Sequence, residues 1–375
     1  MSESGSLLEF SIWESSHQVL NLRTSSLFHL LKGKRTTSVL FFALKHHLEK
    51  YFACLPELEK DKFENIISQM TSLGYLDVKE GKLYAKKQPA LTEDLSIFSY
   101  KYLNGLSLMN NESLALIKEA TILLVQIVSQ TSFQEKKFSP TTNNSWVQQL
   151  CKSWLASRRK KDKVTFEQLC REIAKELWGF LDEEEPVFNV LFLSYFTGFQ
   201  VAPATREQRM LMLNEQGMQD ENYIDRISWV YFIQEMIDQK DIYPLFFSFL
   251  TFLIQRQGLS SRSSQESYLA FLHGSPISRI AKSRYLKEST VNDHLIELAL
   301  IYPATVARRI LFLGQPAENN KLIQAGLDII SREPNTSFDD FEKDLPLDSL
   351  RLPNFLVYRL SQIICIKEER ERVSC

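Results

Sequence analysis

Apolar residues recur every three or four positions along most of the chain, and alternating stretches are few, so the pattern predicts a mainly α protein. Polar seams divide it into a lead-in (1–26), a first compact unit (27–93), a helical middle (94–257), a unit at 258–335 and a helical tail (336–375). In the first unit, one helix ends at Lys32-Gly33-Lys34, where Gly33 can take a positive φ. A second apolar-periodic run covers 37–51. A third covers 59–73, with Phe63, Ile66, Ile67, Met70 and Leu73 as its inward stripe and Gly74 as its stop. Residues 75–87 then alternate around Glu80-Gly81, a hairpin signal. Three helices and a two-stranded hairpin make a winged helix.

The middle reads as a bundle, with helices at about 112–131, 144–156, 165–182 and 222–238 and a flexible stretch at 131–144. In the third of these, Phe166, Leu169, Ile173, Leu177 and Phe180 share one face, and Thr165 with Gln168 forms a capping box. The stretch 264–303 reads as three short helices. The first stops at Gly274. Ser275 and Pro276 open the second, which buries Ile277, Ile280 and Ala281. After a turn at Tyr285-Leu286, Ser289 is placed to cap the third, whose stripe is Val291, His294, Leu295 and Leu298. This spacing is that of two helices crossing through a short turn, a helix-turn-helix. The fold class is therefore mainly α: an N-terminal winged helix with a small β-hairpin, a helical middle bundle and a C-terminal helix-turn-helix. The tail at 366–375 reads as a frayed helix end.

Charge and chemistry narrow the function. The 375 residues carry a formal net charge of −2, so a nucleic-acid surface has to be a local patch. The five cysteines (54, 151, 170, 365 and 375) form no CxxC pair, and with no secretory pattern at the amino terminus they fit a reducing cytoplasm. The most apolar run, 243–254, is shorter than the roughly 20 residues of a membrane span, so no membrane partner is expected. No Walker loop, GxGxxG or GxSxG occurs, so the reading is non-enzymatic, with no cofactor and no metal. Between 27 and 87, eleven basic residues face seven acidic ones. Lys32, Lys34 and Arg35 follow the first helix, and Lys79, Lys82, Lys86 and Lys87 lie on the wing, a cluster suited to phosphates. In the helix-turn-helix, Lys287, Ser289, Thr290, Asn292 and Asp293 are the groove-facing candidates, and Lys282 and Arg284 the phosphate candidates. Glu288, Asp293 and Glu297 place negative charge on the same helix. The basic run 158–163 reads as a solvated helix end.

Two segments resemble known modules. The run 30–78 is similar to the winged-helix part of the RQC domain of RecQ-family DNA helicases. It shares the apolar-apolar-basic-Gly start at 30–33, the L-x-K-x-x-F entry at 58–63 and the Q-M-x-x-L-G-Y-L close at 69–76; the zinc ligands of that domain have no counterpart. The run IAKSRYLKESTVNDHL at 280–295 resembles the helix-turn-helix at the carboxyl end of bacterial RecQ helicases. The combined layout resembles the YpbB family of Gram-positive bacteria. The resemblance implies a helicase-associated protein without its own motor. Such a protein would bind DNA at a fork, a junction or a single-strand/duplex boundary, and work with a RecQ-type helicase in recombination or repair. The alternatives from the residues alone are a transcription regulator with a helical sensor or dimerisation domain, and a protein-binding scaffold.

Overall fold

The computed structural model describes residues 7–88, 105–135, 137–215, 221–345 and 351–374. The expected seam at 89–93, residues 1–6 of the lead-in and Cys375 lie outside the described residues. The protein is mainly helical, with one small antiparallel sheet near the amino terminus.

The amino-terminal part contains α1 (Leu7–Gln18), β1 (Leu22–Arg23), α2 (Thr24–Lys32), α3 (Thr37–Lys45), α4 (Lys60–Ser72), β2 (Leu76–Lys79) and β3 (Lys82–Ala85). Helix α2 stops at Gly33 (φ 77°), and a Cβ there would lie 2.5 Å from that of Ala53, so both conformation and space require glycine. Thr36 caps α3 by accepting from the Val39 amide. The hairpin turns through Glu80 (φ 50°) and Gly81 (φ 70°), the pair of positive φ values that matches strand twist. The apolar positions around 7–13 of the lead-in allow a short strand or helix, and the structure extends the helix to Gln18. Strand β1 pairs with β3, so the wing has three strands in the order β1-β3-β2. Two residues are too few to show a period, which is why β1 escapes a pattern reading.

The middle holds α5 (Asn111–Ser132), α6 (Ser145–Asp162), α7 (Phe166–Asp182), α8 (Pro186–Leu193), α9 (Arg206–Glu215), α10 (Glu221–Asp238) and α11 (Pro244–Gln257). The capping box of Thr165 and Gln168 is formed. The stripe Leu169, Ile173, Leu177 and Phe180 is buried, and Phe180, Phe192, Trp229, Phe232 and Phe246 meet in an aromatic core, each side chain contributing about 1.5–3 kcal/mol on burial. Pro244 opens α11, and the Glu176 carboxylate accepts from the amides of Leu245 and Phe246, both at 2.9 Å, capping that helix from α7. Within the stretch 131–144, expected to be flexible, residues 139–142 are pinned by side chains. Gln126 donates to the Ser139 carbonyl (3.0 Å) and accepts from the Thr141 amide (2.9 Å), and Thr142 bonds Glu119.

Among the described residues one helix, α5, is long and apolar enough to cross a membrane, and half of its apolar window is buried in the protein. Its polar side chains Lys118, Glu119 and Gln126 bond other segments of the chain, as in a core helix.

The carboxyl part comprises α12 (Arg262–Leu272), α13 (Ile277–Ser283), α14 (Glu288–Ile301), α15 (Ala304–Phe312), α16 (Ala317–Arg332), α17 (Phe338–Asp344) and α18 (Asn354–Ser374). Helix α14 is central. It packs on α3, α12, α13, α15 and α18, and its second half (Leu295, Ile296, Leu298, Ala299, Leu300, Ile301) is buried all round. Helix α18 runs on to Ser374 with Lys367 and Arg370 buried, so the carboxyl tail is a core element and not a frayed end.

Candidate nucleic-acid interface

Two exposed surfaces carry the basic candidates. The first is the wing. In an antiparallel sheet, directly opposed residues share a face, and the register places Arg23 opposite Lys82 and Lys82 opposite Lys79. Three cations thus stand in one rung across three strands. The adjoining rung of Leu22, Leu83 and Val78 points the other way and buries Leu22 and Leu83. Like charges opposite one another destabilise a sheet, so this rung suits an external polyanion better than it suits the fold. Asp77 partly offsets it. Its carboxylate lies 3.3 Å from Lys79 Nζ and 3.5 Å from Lys86 Nζ, and the bond from Lys79 holds the acid below its usual range. Lys87 is exposed beyond β3. Arg23 escapes the sequence reading because its place in the rung depends on a pairing 59 residues away in the chain.

The second surface is the helix-turn-helix. Ile277, Ile280 and Ala281 of α13 pack against Val291, Leu295 and Leu298 of α14, and the Leu286 amide donates to the Ala281 carbonyl to close the turn. The boundaries differ from the expected ones: Pro276 is the N-cap of α13, Lys287 is the N-cap of α14, and Ser289 sits inside the first turn. Lys282, Lys287 and Ser289 are exposed, and Thr290 is half-buried. Two exposed residues of the same surface were not singled out from sequence, Arg279 on α13 and Tyr285 in the turn.

Several candidates serve the fold instead. Arg284 donates to the Ser263 carbonyl (2.7 Å), to Ser263 Oγ (3.0 Å) and to Glu266 (3.0 Å), and also bonds Ser267, so it ties α13 to α12 rather than standing free for phosphate. Arg35 donates to the Leu108 carbonyl (2.8 Å) and to Glu297 (2.5 Å). Lys32 reaches the Leu58 carbonyl at 3.3 Å, whereas Lys34 is exposed beyond it. The side-chain oxygen of Asn292 is enclosed, which removes half of the donor–acceptor pair needed to read adenine. These roles are set by distant segments, and residue type alone does not reveal them.

The acidic flank of α14 is the clearest reassignment. Asp293 accepts from Thr37 Oγ1 (2.8 Å) at the amino end of α3, where negative charge meets the positive helix terminus. Glu297 accepts from Arg35 and from Ser264 Oγ, both at 2.5 Å. His294 shares a 2.8 Å bond with Ser267 Oγ, and burial, helped by Arg284, lowers its pKa. The carboxylates therefore dock the wing-bearing segment onto α14. A groove of about 590 Å³ remains beside this contact, between Thr37, Thr290, Asp293 and Arg359.

Helix α18 contacts both α14 and the amino-terminal segment. Lys367 of α18 donates to the carbonyls of Leu300 (2.8 Å) and Tyr302 at the carboxyl end of α14, where a cation meets the negative terminus. Arg370 pairs with Glu49, both buried, and also bonds the Leu44 carbonyl. Burial raises the Glu49 carboxyl and lowers the Lys367 amine, and the neighbouring opposite charges oppose both shifts. The Arg359 guanidinium lies 3.7 Å from the Phe41 ring centroid. Elsewhere, burial pushes the thiols of Cys151 up to about 12 and of Cys170 and Cys365 up to about 11, so none is a ready nucleophile. Among the described residues no group of three His, Cys, Asp or Glu is placed to hold a metal ion.

Residues 263–352, from α12 to the approach to α18, match the family model described as helix-turn-helix domain. Over 293 residues, 75% of this chain and 78% of the relative, the sequence is 23% identical to Protein YpbB of Bacillus subtilis (strain 168). The chain is thus similar to a helix-turn-helix domain at its carboxyl end and to YpbB over three quarters of its length. No solved structure matches.

Proposed function

We propose that this chain is a non-enzymatic DNA-binding accessory protein that works with a RecQ-type helicase in recombination or repair. The observation that carries the DNA reading is the helix-turn-helix match together with exposed cations at its turn. The Arg23–Lys82–Lys79 rung supports a second contact at the wing. The available DNA-facing set is then Lys34, Lys79, Lys82, Lys86, Lys87, Lys282, Lys287, Ser289 and Thr290, with Arg23 and Arg279 added. The helicase partnership rests on the resemblance of residues 30–78 and 280–295 to RecQ-associated modules. A cytoplasmic location fits a DNA-binding protein.

A salt series of binding to fork, single-stranded and blunt duplex DNA tests the first part. Binding that falls by an order of magnitude or more from 50 to 200 mM salt is expected, steepest on the fork. Absence of binding at low salt overturns it. Selection of one palindrome by about 10³ or more over random duplex would instead identify a transcription regulator. A pull-down between the full chain and the RecQ-type helicase of the same organism tests the partnership, and failure to co-purify removes it.

A further inference from the structure

The turn of the helix-turn-helix holds a residue the fold does not explain. Tyr285 is 97% exposed, the highest value among the exposed large hydrophobic side chains of the described residues. Its φ is 54°, in the left-handed region where a side chain is strained and glycine is not. Of the eight described non-glycine residues with positive φ it is among the bulkiest, and its ring packs on nothing. Packing, hydrogen bonding and backbone preference therefore give no local reason for tyrosine here. Strain of this kind, kept where the structure gains nothing from it, points to function.

The surroundings indicate the ligand class. Arg279 and Lys282 lie three residues apart on the exposed side of α13, and Lys287 stands two residues after the tyrosine; all three are exposed and make no ion pair among the described residues. Glu288, also exposed, offsets one of them and leaves the turn positive. An open aromatic ring among cations is the arrangement that binds single-stranded nucleic acid, the cations taking phosphates and the ring a base face. A base inside a duplex is covered on both faces, so only an unpaired or terminal base can accept the ring.

We propose that Tyr285 is a stacking platform for an unpaired base, held next to phosphates bound by Arg279, Lys282 and Lys287. The inference rests on the DNA-binding reading above and adds to it the chemistry that would prefer a single-strand/duplex boundary.

The test uses the full chain with three labelled probes, a single strand, a blunt duplex with an internal label and a tailed duplex, read by fluorescence anisotropy at two salt concentrations. Tyr285→Gly removes the ring and relaxes the turn, so its melting temperature should not fall. Its affinity for the single strand and the tailed duplex should drop about tenfold, with the salt slope unchanged. Tyr285→Phe should bind as the parent protein does. The double variant Lys282→Glu/Lys287→Glu should weaken all three probes and flatten the salt slope. If Tyr285→Gly binds every probe like the parent, the stacking role is overturned while DNA binding stands, and the exposed ring is then a protein contact. If the parent binds no probe at low salt, the DNA-binding reading falls and this inference falls with it.

Discussion

The wing and the flank of α14 both present clustered charge of one sign, yet they sit in opposite circumstances. On the wing, Arg23, Lys82 and Lys79 stand side by side on a sheet that faces solvent, and only Lys79 has an ion-pair partner among the described residues, Asp77. On α14, Glu297 is paired with Arg35 and bonded by Ser264, and Asp293, though exposed, accepts from Thr37, so both carboxylates are engaged within the molecule. A like-signed cluster is thus a sign of an external partner only when the fold leaves it unmet. The acidic flank, which in isolation would repel phosphate, is instead what joins the amino-terminal segment to the helix-turn-helix.

The comparison can be broken most forcefully at the buried end of the junction. Arg370→Met should strand Glu49 without its counter-ion and cost about 3–5 kcal/mol, seen as a large fall in urea midpoint. A loss below about 1 kcal/mol would mean that the pair is not buried in solution. Next is acidification of the amino-terminal side. His46, at the end of α3, is lowered from 6.5 to about 4 by burial, with Lys45 adding to the effect. Because the folded pKa is depressed, the contribution is present above about 6.5 and is lost as pH falls from 6.5 towards 4. The loss should be roughly 2 kcal/mol after solvent screening, and His46→Gln should remove this part of the pH dependence of unfolding.

A double-mutant cycle of Arg35→Met with Glu297→Gln measures the docking contact itself, with a coupling of about 1–2 kcal/mol expected. Coupling near zero would return Arg35 to the DNA-binding set. The smallest effect is the most discriminating. Lys82→Glu should relieve the crowded rung and raise stability by about 0.5 kcal/mol, while lowering DNA affinity and reducing the salt slope. A variant less stable than the parent, with unchanged DNA affinity, would make the rung structural.

The same contrast explains what could be read from the sequence. Features held by neighbouring residues were legible: the Gly33 and Gly74 helix ends, the Thr165 capping box, the hairpin turn at Glu80-Gly81 and the α13–α14 spacing all appear in the fold. Features made by distant segments were not. The third wing strand, the engagement of Arg35 and Arg284 and the docking of Asp293 and Glu297 depend on which helices meet, and residue type and period carry no such information. Helix α18 shows the same limit. Its charged end reads as a frayed helix end in the sequence because the acceptors of Lys367 and Arg370 lie far away in the chain, at the end of α14 and in the amino-terminal segment.

That last pairing sets an order of events during synthesis. Glu49 and Arg370 are separated by 321 residues, so at a translation rate of about 5–20 residues per second the acid waits on the order of tens of seconds for its partner to be made. Until α18 leaves the ribosome, the face of the amino-terminal segment that will receive it stays open to water, and Glu49 keeps its hydration. The nascent chain therefore holds the earlier-made segment unfinished and completes it with a helix made much later.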